Sequence, residues 1–247
     1  VDWIHSQPAL LFAEIFGIWL PIAFHAGLGI VYTFTGKSNV GVYGYSDNWR
    51  YTFQRITGII ALIFIFFHIA TLRWRWDIGG WYTPFFTHGI GASGEQAVPF
   101  ATENTAIALQ YSAIIMIFYL VGMLAVVYHW SNGLWTAAIS WGLTLSAKAQ
   151  RRFGYVCGAM FVALLAFGLT AIYSAYTYEI TDEDWAVYDR TVAFYEQTGE
   201  KPHKGEVYNY MIEIDLETGE ASYIFEPVHG EDELSQRDSK GVEDGAM

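Results

Sequence analysis

A single cysteine, Cys157, rules out an intrachain disulfide and any cysteine-built metal cage. Basic residues are also scarce, 13 Lys and Arg in 247 residues, and none of them precedes the first apolar run. With no small-residue cleavage pattern there either, the N-terminal stretch does not read as a signal peptide. The net charge is −12, and no nucleic-acid partner is expected. The deficit of positive charge is uneven. Through Tyr178 there are eight basic and six acidic side chains, whereas from Glu179 onward there are five and 19, so the acidity belongs to the tail.

What the chain has in quantity is apolar length. Four runs, at about 7–35, 51–73, 105–143 and 153–178, are each long enough to cross a hydrocarbon core of roughly 30 Å as a helix. Core helices of soluble proteins are usually shorter, so the expected fold is an all-α membrane protein. Residues 1–178 would form a transmembrane bundle of four helices, and 179–247 a small acidic extramembrane tail. Lys37 and Arg50 lie between the first two runs, and Lys148, Arg151 and Arg152 between the last two. On the other side, Arg73 and Arg75 are offset by Asp77, Glu95 and Glu103. The positive-inside rule then puts both basic loops in the cytoplasm of a multi-pass plasma-membrane protein, with the tail outside.

Histidines 25, 68 and 129 fall inside three different runs. An ionisable or metal-ligating side chain at bilayer depth is costly without a role. The first and third runs both head inward, with His25 and His129 in the inner part of each, so the two imidazoles share a depth and can be opposite axial ligands of one haem. His68 comes late in an outward-running helix and needs a different partner. His5 and His88 are on the outer side but poorly placed, and the fourth run holds no histidine. A partner at the right depth would come from a helix ahead of the first run; the chain opens on Val1 rather than Met, and further residues upstream are expected. The plain alternative for each histidine is a hydrogen bond to a neighbouring helix.

Gly29 and Gly133 each follow a histidine by four residues and so share its face. Without a side chain there, a flat ring can approach the backbone; ordinary close helix packing would use the same residues. Pro21, four residues before His25, should kink its helix and re-aim the imidazole.

Three stretches carry a family resemblance: LPIAFHAGLGIVYTFTGK (20–37), YGYSDNWRYTFQRITGIIALIFIFFHI (43–69) and YHWSNGLWTAAISWG (128–142). Together they resemble the single-anchor, dihaem cytochrome b subunit of succinate:menaquinone oxidoreductases and fumarate reductases. That resemblance implies five transmembrane helices and two b-type haems, a proximal one on His25 and His129 and a distal one on His68 with a histidine from a preceding helix. This chain lacks that helix; either the sequence is truncated, or another polypeptide supplies it, or the distal haem is absent. The resemblance further implies flavoprotein and iron–sulfur subunits docked on the cytoplasmic side, electron transfer to menaquinone, and assembly of whole complexes into oligomers. Succinate chemistry would sit in the partner subunits. Tyr45, Asn48, Trp49 and Arg50 are the candidate docking residues. The alternatives are a haem-free anchor or a dihaem cytochrome of another respiratory complex.

Three charged residues complete the candidate site. Glu14 precedes His25 by 11 residues, about three turns along nearly the same face, and is the candidate proton-handling group for quinone chemistry near the distal haem. Arg75, seven past His68, is a candidate partner for a distal haem propionate. Arg55, at the cytoplasmic end of the second run, is a weaker candidate for the proximal one. In the tail, 182–197 reads as a short helix, 208–214 and 221–225 as a β-hairpin about a Glu217–Glu220 turn, and the stretch from Glu231 as disordered. His203 and His229 have no cluster around them and read as surface histidines.

Overall fold

A computed structural model describes residues 7–72, 85–215, 218–219 and 221–225. These fall into two compact units, 7–72 with 109–177 and 85–108 with 178–225. The helices in chain order are α1 (Leu10–Thr35), α2 (Ser46–Leu72), α3 (Ala101–Gln110), α4 (Ala113–Ser140), α5 (Ala147–Tyr176) and α6 (Asp182–Thr198).

The first unit is built from α1, α2, α4 and α5. At 26, 27, 28 and 30 residues and mean hydropathies of 1.7 to 2.2, each is long and apolar enough to cross a membrane. Their large side chains point outward: Phe24 is 70% exposed, Phe34 79% and Phe167 74%. Water would penalise such a surface, whereas hydrocarbon solvates it, and the helical backbone satisfies its own hydrogen bonds. Contact between helices therefore depends on small residues. A Cβ at Gly122 of α4 would run into the Phe64 ring of α2, and one at Gly168 of α5 would lie 2.7 Å from Met123 of α4.

The third run is not one helix. Ser112 takes an extended backbone (φ −151°) and its hydroxyl accepts the Ile114 amide, so α4 starts afresh after α3. Ser146 caps α5 in the same way through Ala149. The disturbance expected at Pro21 is present just upstream of it, where Ile15–Trp19 form a π-helical turn inside α1. Proline cannot donate to the carbonyl four residues back, and the wider turn absorbs that break.

The second unit joins α6 to two small antiparallel hairpins, β1 (His88–Gly89) with β2 (Val98–Pro99) and β3 (Tyr210–Ile214) with β4 (Ala221–Phe225). A capping box between Thr181 and Asp184 starts α6, and Gly199 at φ 70° ends it in the left-handed region that favours glycine. The expected tail helix and hairpin are both present. The units divide between Thr177 and Tyr178, one residue from the expected boundary, but 85–108 joins the tail rather than the bundle. The tail alone lacks apolar side chains for a core, and that segment supplies them. Ile90 and Ala97 pack with Phe194 and Tyr208, while Phe100 and Ile107 pack with Val187. Burying each of the larger side chains contributes about 1.5–3 kcal/mol. Polar links pin the segment: the Ile90 amide donates to Thr191 Oγ1 at 2.9 Å, and the buried Arg190 donates through Nε to the Ile90 carbonyl at 2.9 Å and pairs with Glu183 at 2.8 Å.

Candidate functional site

The bundle brings His25 of α1 and His129 of α4 together, with ring centres 6.0 Å apart and ring planes at 78°. Two imidazoles on opposite faces of one metal ion, with metal–nitrogen bonds of about 2 Å, have ring centres roughly 6 Å apart. The donor set thus fits a bis-imidazole iron. Among the described residues no cluster of three or more His, Cys, Asp or Glu could hold a metal ion.

The orientation of His129 comes from α2. Its Nδ1 lies 3.0 Å from the main-chain carbonyl of Gln54, an atom that only accepts, so the imidazole donates there and keeps its Nε2 lone pair for a ligand. The Gln54 side chain extends the arrangement: Nε2, 3.2 Å from His129 Nδ1, donates to the His129 carbonyl at 3.0 Å, and Oε1 accepts from Asn132 Nδ2 at 2.7 Å. Asn132 Oδ1 in turn accepts from Arg50 Nε at 2.8 Å, and the Arg50 guanidinium stacks on Trp135 at 3.7 Å. A glycine completes the seat. A Cβ at Gly58 would stand 2.9 Å from His129 Cε1 and 3.1 Å from Nδ1, so only glycine leaves the imidazole where it is.

None of Gln54, Gly58 and Asn132 was singled out by sequence reasoning, although all three sit in the quoted QRITG and SNGLW runs. Their signal was position: Gln54 and Gly58 share a face of α2, and Asn132 lies one turn from His129. The two expected glycines differ. A Cβ on Gly29 would meet nothing within 4 Å, whereas one on Gly133 would meet Gln54 Nε2 at 3.1 Å, so Gly133 makes room for the glutamine.

His68 lies apart from this pair on α2. Its Nδ1 is 3.3 Å from the Tyr119 hydroxyl of α4, and its ring stacks on Phe64 at 5.7 Å. The hydrogen bond engages one ring nitrogen and leaves Nε2 for another partner. His88 belongs to β1 of the second unit, and His5 lies outside the described residues.

The chain is 37% identical over 172 residues to the succinate dehydrogenase cytochrome b558 subunit of Bacillus subtilis (strain 168), a match that spans 70% of this chain and 76% of the relative. The chain belongs to that family of membrane-anchor subunits. No protein-family model matches it, and no solved structure does. The anchor is accordingly a multi-pass protein of the bacterial plasma membrane and a subunit of the complex rather than its catalytic part.

The remaining expected residues can be placed in turn. Glu14 is half-buried in α1 directly before the π turn. That turn holds one more residue than an α-turn, so it rotates Glu14 by roughly 100° from the shared face expected with His25. Arg55 stacks on Tyr51 at 3.9 Å and presses its guanidinium against Gly36, where α1 ends. Arg50, Gln54 and Arg55 line one cavity of about 370 Å³ at the basic end of the anchor. Arg75 and Arg73 lie outside the described residues, as does His229.

Of the expected docking residues, Trp49 and Arg50 are helical rather than in a loop, because α2 begins at Ser46. Tyr45 and Trp49 are 71% and 45% exposed. Asn48 donates to the Tyr43 carbonyl at 2.9 Å, and Arg50 turns inward to Asn132, so both are used within the anchor.

Proposed function

We propose that this anchor carries haem b and passes electrons between the iron–sulfur subunit of succinate dehydrogenase and menaquinone. A b-type haem supplies reversible one-electron transfer when bound. The observation that carries the reading is the His25–His129 pair at 6.0 Å, with His129 fixed by the Gln54 carbonyl. His25 and His129 would hold one haem. Gln54 and Asn132 keep the His129 tautomer and ring plane, and Gly58 keeps the seat clear. Arg55 presents its guanidinium at the basic end, where a carboxylate group of the macrocycle would find a charge-assisted partner.

Gly29, one turn from His25, leaves room for the ring of the first haem to approach α1. His68 would be a ligand of a second haem, with a partner outside the described residues, and Tyr119 engages its Nδ1. Menaquinone is handled at this more distant end, with Glu14 taking up or releasing protons. The flavoprotein and iron–sulfur subunits dock at the cytoplasmic, basic end, where Tyr45 and Trp49 are exposed. Complexes associate into oligomers in the membrane.

The test is a pair of variants. His25→Ala and His129→Ala should each remove the same reduced-minus-oxidised species from the purified complex. Loss of two different species would break the pairing, and loss of none would leave a haem-free anchor.

A further inference from the structure

A second groove lies between α4 and α5 at the basic end, with a volume of about 310 Å³. Its walls come from Tyr128 and Ser131 of α4 and from Gly154, Gly158 and Phe161 of α5, and Arg50 closes its polar end. It exists because α5 carries glycine at two positions one turn apart. A Cβ at Gly158 would meet nothing within 4 Å, and one at Gly154 would meet only the Trp135 and Arg50 side chains, at 3.4 Å or more. From Gly154 to Phe161 the groove follows two helical turns, about 10 Å, from a charged end to an aromatic one.

Two observations point to a ligand. Ser131 is 3% exposed, and its hydroxyl has no hydrogen-bond partner, although a buried donor is normally satisfied. Arg50 uses Nε on Asn132, stacks on Trp135 and forms no ion pair among the described residues. Lys148, Arg151 and Arg152 begin α5 on the same end, and Arg151 precedes Gly154 by three residues on the groove's face. The ligand therefore has an anionic head that accepts hydrogen bonds and a slender apolar part. Basic pockets between transmembrane helices take lipid head groups on this physical basis.

We propose that this groove binds an anionic phospholipid, its phosphate accepting from Ser131 and Arg50 and one acyl chain running along Gly158 to Phe161. The site is separate from the haem ligands and does not depend on them. The experiment uses the intact complex, delipidated in detergent, with its thermal midpoint followed on adding phosphatidylglycerol, phosphatidylcholine, inorganic phosphate or a soluble menaquinone analogue. Gly158→Leu puts a side chain into the groove from a position whose Cβ would meet nothing within 4 Å, and Ser131→Ala removes the unpartnered hydroxyl. The expected result is a rise of several degrees with phosphatidylglycerol alone, abolished in Gly158→Leu and reduced in Ser131→Ala, with the haem spectrum unchanged in both. An equal rise with phosphatidylcholine, a rise with phosphate alone, a groove-dependent rise with the quinone analogue, or a phosphatidylglycerol response that both variants retain would each overturn the proposal.

Discussion

Replacing Gly58 with alanine tests the seat of His129 without touching the histidine. The added Cβ would stand 2.9 Å from Cε1 and 3.1 Å from Nδ1, against about 3.4 Å or more for an ordinary contact. The ring must retreat by several tenths of an ångström, and the main chain of α2 cannot follow, since Gly58 and Gln54 belong to the same rigid turn. The hydrogen bond to Gln54, now 3.0 Å, then lengthens toward 3.5 Å, where little of it remains. Overpacking costs about 1–3 kcal/mol and the lost bond about 1 kcal/mol. A disturbed orienting partner lowers metal affinity about 10–100-fold, so the haem on this pair should become labile. The assay is pyridine haemochrome per chain after extended washing, alongside the reduced-minus-oxidised spectrum. Gly29→Ala is the matched comparison, because its Cβ meets no protein atom within 4 Å; any effect there reports a bound ring. Wild-type haem retention in Gly58→Ala would refute the reasoning.

Other outcomes follow from the same contacts. Gln54→Leu keeps the main-chain carbonyl that orients His129 but strips Asn132 Nδ2 of its acceptor, so it should cost about 1–3 kcal/mol of thermal stability with smaller haem loss than Gly58→Ala. Arg50→Lys keeps the charge but cannot reproduce the Nε bond and the stacking on Trp135; stability measured in detergent should fall by about 1–2 kcal/mol. Glu14→Gln should depress quinone-linked turnover while succinate oxidation with a soluble acceptor and the haem spectra are kept; unchanged quinone activity excludes Glu14. In the second unit, burial and the hydrogen bond to Glu206 hold the Tyr208 hydroxyl above its ordinary value. Its contribution is complete below the unfolded value of about 10 and is lost as pH rises through the folded one, so Tyr208→Phe should flatten the alkaline limb of that unit's unfolding, read by near-ultraviolet circular dichroism.

The four membrane helices were legible because hydropathy and length decide them, and the His25–His129 pairing because two helices of the same direction put both imidazoles at one depth. The helix ends were less so. The break at Ser112 depends on one serine capping a new helix inside an apolar stretch, and periodicity cannot see it. The π turn before Pro21 shifted Glu14 off the expected face, since residue counting assumes an unbroken α-helix. The partners of His129 lay in plain view as Gln54, Gly58 and Asn132. Their roles required knowing that α2 and α4 run side by side with these residues level. The union of 85–108 with the tail could not be read from either piece, because neither holds a complete core.

The most direct test of the central claim is a reduced-minus-oxidised visible spectrum of the purified anchor in its complex, with haem quantified per chain. The account predicts b-type bands, with the component held by His25 and His129 disappearing when either is changed to alanine. A complex that is active with soluble acceptors and shows no b-type bands would contradict it.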